Sequence, residues 1–154
     1  MAARCTLETE GYQAHFHLER LPRPAGALDA RIEVCLREEV GGTSLRSEPT
    51  FLRGNELQRL VAYFEGHIAR LQTEPNTESP VFVPLELGFQ VQALAGDIET
   101  ANEGEFTLRF LVNVGQPEGR ARTYAGAEAV ITVQQVRAFV VSLDAVLGEL
   151  TSVR

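Results

Sequence analysis

His15 and His17 stand two residues apart in a stretch that alternates apolar and polar side chains, so both imidazoles project from one face of a strand. With a carboxylate such as Glu33 brought alongside by a neighbouring strand, the pair could hold a metal, and zinc would suit that donor set. Spacing dictates no third ligand, and His67 belongs to a helical pattern elsewhere, so the residues favour a plain solvated strand face. Arg120, Arg122 and Tyr124 repeat the two-residue spacing. An arginine fork there would clamp an anion or a partner's carboxylates, or else pair with glutamates on adjacent strands. Gly104, Gly115, Gly119 and Gly126 match no phosphate-loop spacing, and no glycine-rich turn leads from a strand into a helix. Neither Cys5, Cys35 nor any serine sits in the setting of an activated nucleophile. The expectation is a protein with no cofactor and no enzymatic activity.

The totals narrow the classes further. The chain has 154 residues, long enough for one domain with a real core, and we read 1–154 as a single domain. No apolar run reaches the roughly 18 residues of a membrane span, and the opening MAARCTLETEGY has no signal-peptide core, so no membrane role and a cytoplasmic location are expected. Two cysteines far apart in sequence fit that compartment without a disulfide. The net charge is −7, from 21 acidic and 14 basic residues, every one of the latter an arginine. Such a surface repels phosphate backbones, which disfavours nucleic acid, and would attract a basic protein partner if it attracts any.

The elements that must position these residues are legible from periodicity. Val133, Val136, Val140, Leu143, Leu147 and Leu150 recur at spacings of three and four, flanked by Phe139 and Val146, and predict a helix with one buried stripe. Thr132 is placed to cap it, Gln135 to complete a capping box, and Ile131 and Val136 to staple the entry. An earlier helix follows Gly54, with Asn55 as cap and Leu57, Leu60, Val61, Phe64, Ile68 and Leu71 facing inward. Gly66, inside it, is unfavourable by roughly 1 kcal/mol against alanine unless a strand approaches there.

Alternation predicts strands over Tyr12–Leu18, extended upstream by Cys5 and Leu7, over Leu28–Arg37, and more poorly over Leu45–Leu52, where Pro49 marks an edge or bulge. The second half repeats the order: a long strand over Val81–Ala93, bent at Pro84 or Gly88, another over Phe106–Val114, a turn at Gly115–Gly119, and a strand over Arg120–Ile131 with Gly126 as the expected site of a bulge. The fold class is therefore α+β, two-layer, with about six antiparallel strands covered on one face by two helices in βββα-βββα order. A shift of about 76 residues superposes the patterns, giving pseudo-repeat halves of roughly 1–75 and 76–154.

This order carries a resemblance. The helix opening Gly54-Asn55-Glu56-Leu57, the polar loop to Pro80, the strand Val81-Phe82-Val83-Pro84-Leu85-Glu86-Leu87, the strand Phe106-Thr107-Leu108-Arg109-Phe110 and the closing strand-helix with Leu143 and Leu147 resemble the WapI-type immunity proteins and related bacterial families. The resemblance spans residues 28 to 150 and rests on element order and apolar spacing. It implies a small cytoplasmic binder of a cognate toxin, and it transfers no catalytic or binding residue. On the open sheet face we place Glu19, Asp29, Glu33, Glu86 and Arg109 as partner-binding candidates, with Arg122 and Tyr124 on the last strand. A small-molecule or enzymatic pocket near His17, Arg109 and Tyr124, and a homodimer using Leu111 and Phe82, are the other expectations.

Overall fold

The computed structural model describes residues 2–86, 88–115 and 122–151. The class is α+β, but the strands form two antiparallel sheets rather than one. In chain order the elements are β1 (Ala2–Glu8), β2 (Tyr12–Arg20), β3 (Ala27–Leu36), β4 (Ser44–Arg46), β5 (Thr50–Arg53), α1 (Gly54–Leu71), β6 (Phe89–Thr100), β7 (Glu103–Asn113), β8 (Tyr124–Thr132) and α2 (Val133–Thr151). The first sheet runs β1-β2-β3-β4, with β5 also on β3; the second runs β6-β7-β8. This corrects the single six-stranded sheet and the βββα-βββα order. Period-two alternation specifies which face of a strand is buried, and it is silent on which strands are neighbours.

Each departure has a local cause. Cys5 and Leu7 belong to a strand of their own because Thr9 turns the chain: its hydroxyl donates to the Tyr12 carbonyl at 2.8 Å and accepts the Tyr12 N–H at 2.9 Å. The strand expected over Leu45–Leu52 divides at Ser47–Pro49 into β4 and β5, both on β3. Ser47 keeps the ladder intact across the break, its N–H donating to the Ile32 carbonyl at 2.8 Å and its hydroxyl accepting the Ile32 N–H at 2.9 Å. The long strand expected over Val81–Ala93 begins only at Phe89; Leu87 lies outside the described residues. Residues 79–83 instead fold back along β6, where Phe82 and Val91 exchange backbone bonds of 2.7 and 3.0 Å.

The helix termini show one expectation met and one corrected. At α2 the Thr132 N–H donates to Gln135 Oε1 at 2.9 Å and the Gln135 N–H to Thr132 Oγ1 at 3.1 Å, a reciprocal capping box. At α1 the cap is Arg53 and not Asn55: Glu56 Oε2 accepts the Arg53 N–H at 2.8 Å, while its other oxygen accepts the Leu85 N–H at 2.8 Å. One buried carboxylate thus starts the helix and pins the segment before β6.

The two sheets and two helices enclose one core. Phe16 of β2 lies 5.6 Å from Phe89, 5.7 Å from Phe110 and 5.5 Å from Phe139, touching β6, β7 and α2 together. Burying each such ring stabilises the fold by roughly 1.5–3 kcal/mol. The inward residues of β2 (Tyr12, Ala14, Phe16, Leu18) and β3 (Leu28, Ala30, Ile32, Val34) are all fully buried, as alternation requires. Tyr12 bridges the sheets, donating to the Leu108 carbonyl at 2.9 Å. Phe82 is buried too, ringed by Tyr63 and Phe89, so it does not lie on a wet face as the dimer expectation assumed. Gly126 does not bulge: β8 keeps uninterrupted register with β7, and a Cβ at that position would stand 1.9 Å from the Phe110 carbonyl oxygen. Among the described residues no helix is long and apolar enough to cross a membrane.

Candidate functional site

Because helices and core occupy its inner side, the first sheet presents its outer side to solvent, and strand register arranges that side in rows. Glu19 lies opposite Asp29. Two residues along, Arg4, His17 and Arg31 align; then Thr6, His15, Glu33 and Arg46; then Glu8, Gln13, Cys35 and Ser44. Rows on one face are about 7 Å apart, two residues of strand rise. The face therefore alternates in charge, acidic, then basic, then mixed.

Some of these charges are satisfied within the sheet. Arg46 Nε donates to Glu33 Oε2 at 3.3 Å, His17 Nε2 stands 3.9 Å from Glu33 Oε1, and Arg37 Nη2 donates to Glu8 Oε2 at 3.1 Å. Others are not. Among the described residues no ion pair engages Glu19, Asp29, Arg4 or Arg31. Like charges directly opposite on adjacent strands repel, so the Glu19–Asp29 pair is unfavourable in the isolated protein. A cleft of about 500 Å³ lies over this face, lined by His17, Arg31, Glu33, Arg46, Ser47 and Pro49. A neighbouring depression of about 560 Å³ shares His17 and Arg31 and extends over Arg4, Glu19 and Asp29.

The histidine pair does not gather a donor set. His15 Nδ1 is hydrogen-bonded to Thr6 Oγ1 at 2.8 Å, and burial, with Arg4 beside it, pushes the His15 pKa down. Among the described residues no group of three histidine, cysteine or carboxylate side chains could hold a metal ion.

The partner-binding candidates do not converge on one place. Glu19, Asp29 and Glu33 share the face just described. Arg109 lies on the second sheet, where Nε meets Glu128 Oε1 at 2.9 Å and Nη1 meets Gln92 Oε1 at 3.1 Å. Glu86 is exposed in the turn before β6; Arg122 is exposed ahead of β8, and Tyr124 is half-buried opposite Asn113. Arg120, the third member of the expected arginine clamp, and most of the Gly115–Gly119 turn lie outside the described residues. The small-molecule pocket expected near His17, Arg109 and Tyr124 is likewise divided, since His17 and Arg109 belong to different sheets.

Two features escaped the sequence reading. Arg46 and Ser47 enter the cleft only because β4 pairs with β3, a pairing that spacing does not specify. His67 is fully buried: Nε2 meets the Leu94 carbonyl at 2.8 Å and Nδ1 meets Ser79 Oγ at 2.7 Å, while Arg70 also donates to that hydroxyl. A carbonyl only accepts, so Nε2 carries the proton and Nδ1 accepts from Ser79. Its place three residues after Phe64 and four before Leu71, on the apolar stripe, was the available signal.

No family model and no curated protein matches the chain.

Proposed function

We propose that the protein is a non-enzymatic, immunity-like binding module that occludes a basic partner, and that the outer face of the first sheet is the surface used. The observation that supports this reading is the unneutralised Glu19–Asp29 pair, two carboxylates held opposite one another without a cation from the described chain. A partner's lysine or arginine placed between them would remove their repulsion, and a carboxylate on the same partner would meet Arg31 in the next row. Recognition by such alternating rows is a matter of charge pattern more than of net charge, because Arg4, Arg31, Arg37 and Arg46 balance Glu8, Glu19, Asp29 and Glu33 on this face. The overall charge of −7 would then act at longer range, speeding encounter.

Affinity capture from the native host at low and high salt tests the proposal. A stoichiometric basic protein should be recovered at low salt, lost at high salt, and not recovered by a Glu19→Arg, Asp29→Arg double variant. Failure to recover any partner at low salt would count against it.

The cleft of about 500 Å³ favours a second reading, a small anionic ligand held by Arg31, Arg46 and His17. A screen of carboxylates and phosphates by thermal shift separates the two, since an occlusion surface gives no shift with small anions. Homodimerisation, the remaining expectation, is addressed by light scattering at two concentrations.

A further inference from the structure

A second groove, of about 400 Å³, runs between the outer side of α1 and the extended residues 80–83. Arg59, Tyr63, Gly66 and Arg70 form its helical wall, with Val81 and Phe82 opposite. Three independent observations bear on what it holds.

The first is Gly66. A glycine inside a helix is unfavourable relative to alanine. Nothing among the described residues requires one here, for of these a Cβ at Gly66 would meet only the Arg70 guanidinium, at an ordinary 3.6 Å. Among the described residues no strand approaches closely enough to require it, and the glycine leaves the groove's wall bare. The second is charge. In a chain of net charge −7, among the described residues no carboxylate lines this groove and neither Arg59 nor Arg70 is in an ion pair. Arg59 rests 5.8 Å over the Phe82 ring and Arg70 donates to Ser79, which leaves N–H donors on both guanidiniums. The third is the edge itself. Phe82 spends its backbone groups on Val91, so those of Val81 and Val83 point away from β6. Val81 and Leu85, 46% and 79% exposed, continue this apolar edge.

We propose that this groove docks an extended acidic segment of a partner polypeptide, which adds alongside residues 80–83 and places its carboxylates on Arg59 and Arg70. Pro80 has no N–H and its carbonyl accepts from the Tyr63 hydroxyl at 2.6 Å, so the outward backbone groups of Val81 and Val83 supply the main-chain bonds to such a strand, and flanking pockets select its side chains. Arg59 and Arg70 are separated by about 16 Å of helix rise, a span of about five extended residues. The inference does not depend on the role of the first sheet's outer face.

The probe is a fluorescein-labelled, terminally blocked peptide of about eight alternating glutamates and valines, long enough to pass both arginines, with its lysine–valine counterpart as control. Binding is read by fluorescence anisotropy at low salt. The acidic peptide should bind the wild-type protein, and Arg59→Glu should weaken it by about tenfold or more. Gly66→Leu should abolish binding while raising the melting temperature, because leucine favours the helix and fills only the groove. That opposite movement of stability and binding separates a blocked site from a damaged fold. Absence of acidic-peptide binding, equal binding of the lysine counterpart, or unchanged affinity in Gly66→Leu would overturn the proposal. So would wild-type self-association lost in Gly66→Leu, which would make a second copy the occupant.

Discussion

At the residue scale, burial alters the ordinary chemistry of His67 and of Cys5. Burial lowers the His67 pKa, the hydrogen bond to Leu94 opposes that shift, and the Arg70 charge adds to it. Between its lowered folded value and about 6.5, the unfolded value, the unfolded chain binds a proton that the native chain does not. Stability from this site is therefore complete above about pH 6.5 and declines as the pH falls below it. Denaturant unfolding from pH 7.5 down to 5 should show that loss, and His67→Gln should show a shallower one; parallel pH profiles would refute the assignment. Cys5 is the second group, its thiol pushed up to about 12 by burial. Cys35 is half-buried on the outer face. Alkylation of the native protein by iodoacetamide should label Cys35 and spare Cys5, with both labelled after unfolding.

At the element scale the α2 cap offers a direct measure of local specification. Thr132→Ala removes half of the capping box and should destabilise the fold by about 1 kcal/mol, lowering the midpoint of urea unfolding without changing its slope. Gly126→Val tests the close approach of β8 to β7; a side chain there would meet the Phe110 carbonyl, and loss of folded protein is the expected outcome. The α2 cap was legible because Thr132 and Gln135 act within four residues of each other. The faces of β2, β3 and β7 were legible because alternation alone assigns them. By contrast, the fate of residues 81–86 was not legible. Their alternating pattern continues that of β6, and it takes the Phe82–Val91 bridge and the bond from Leu85 to Glu56, 29 positions away, to show that the chain folds back there. The outer-face row joining Glu33 to Arg46 was hidden for the same reason, since it depends on how the turn after β3 returns its chain.

At the scale of the whole molecule, Phe16 joins both sheets to α2, so its loss should be felt everywhere at once. Phe16→Ala should cost about 3–5 kcal/mol and leave the unfolding transition single when followed by far-ultraviolet circular dichroism and tyrosine fluorescence. Separate transitions would mean that the sheets are independent units. Nothing in local patterning distinguished two sheets sharing a core from one sheet of six strands, because both bury the same alternate residues. The order of synthesis gives this shared core a temporal meaning. The helix α2 packs most extensively on β1, so it covers a strand made well before it. More than 120 residues separate them, which at roughly 5–20 residues per second leaves the apolar inner side of the β1–β2 hairpin without its lid for about 6–25 s. Nascent chains halted before α2 should therefore be clients of holding chaperones, and release from them should follow the emergence of that helix from the ribosome.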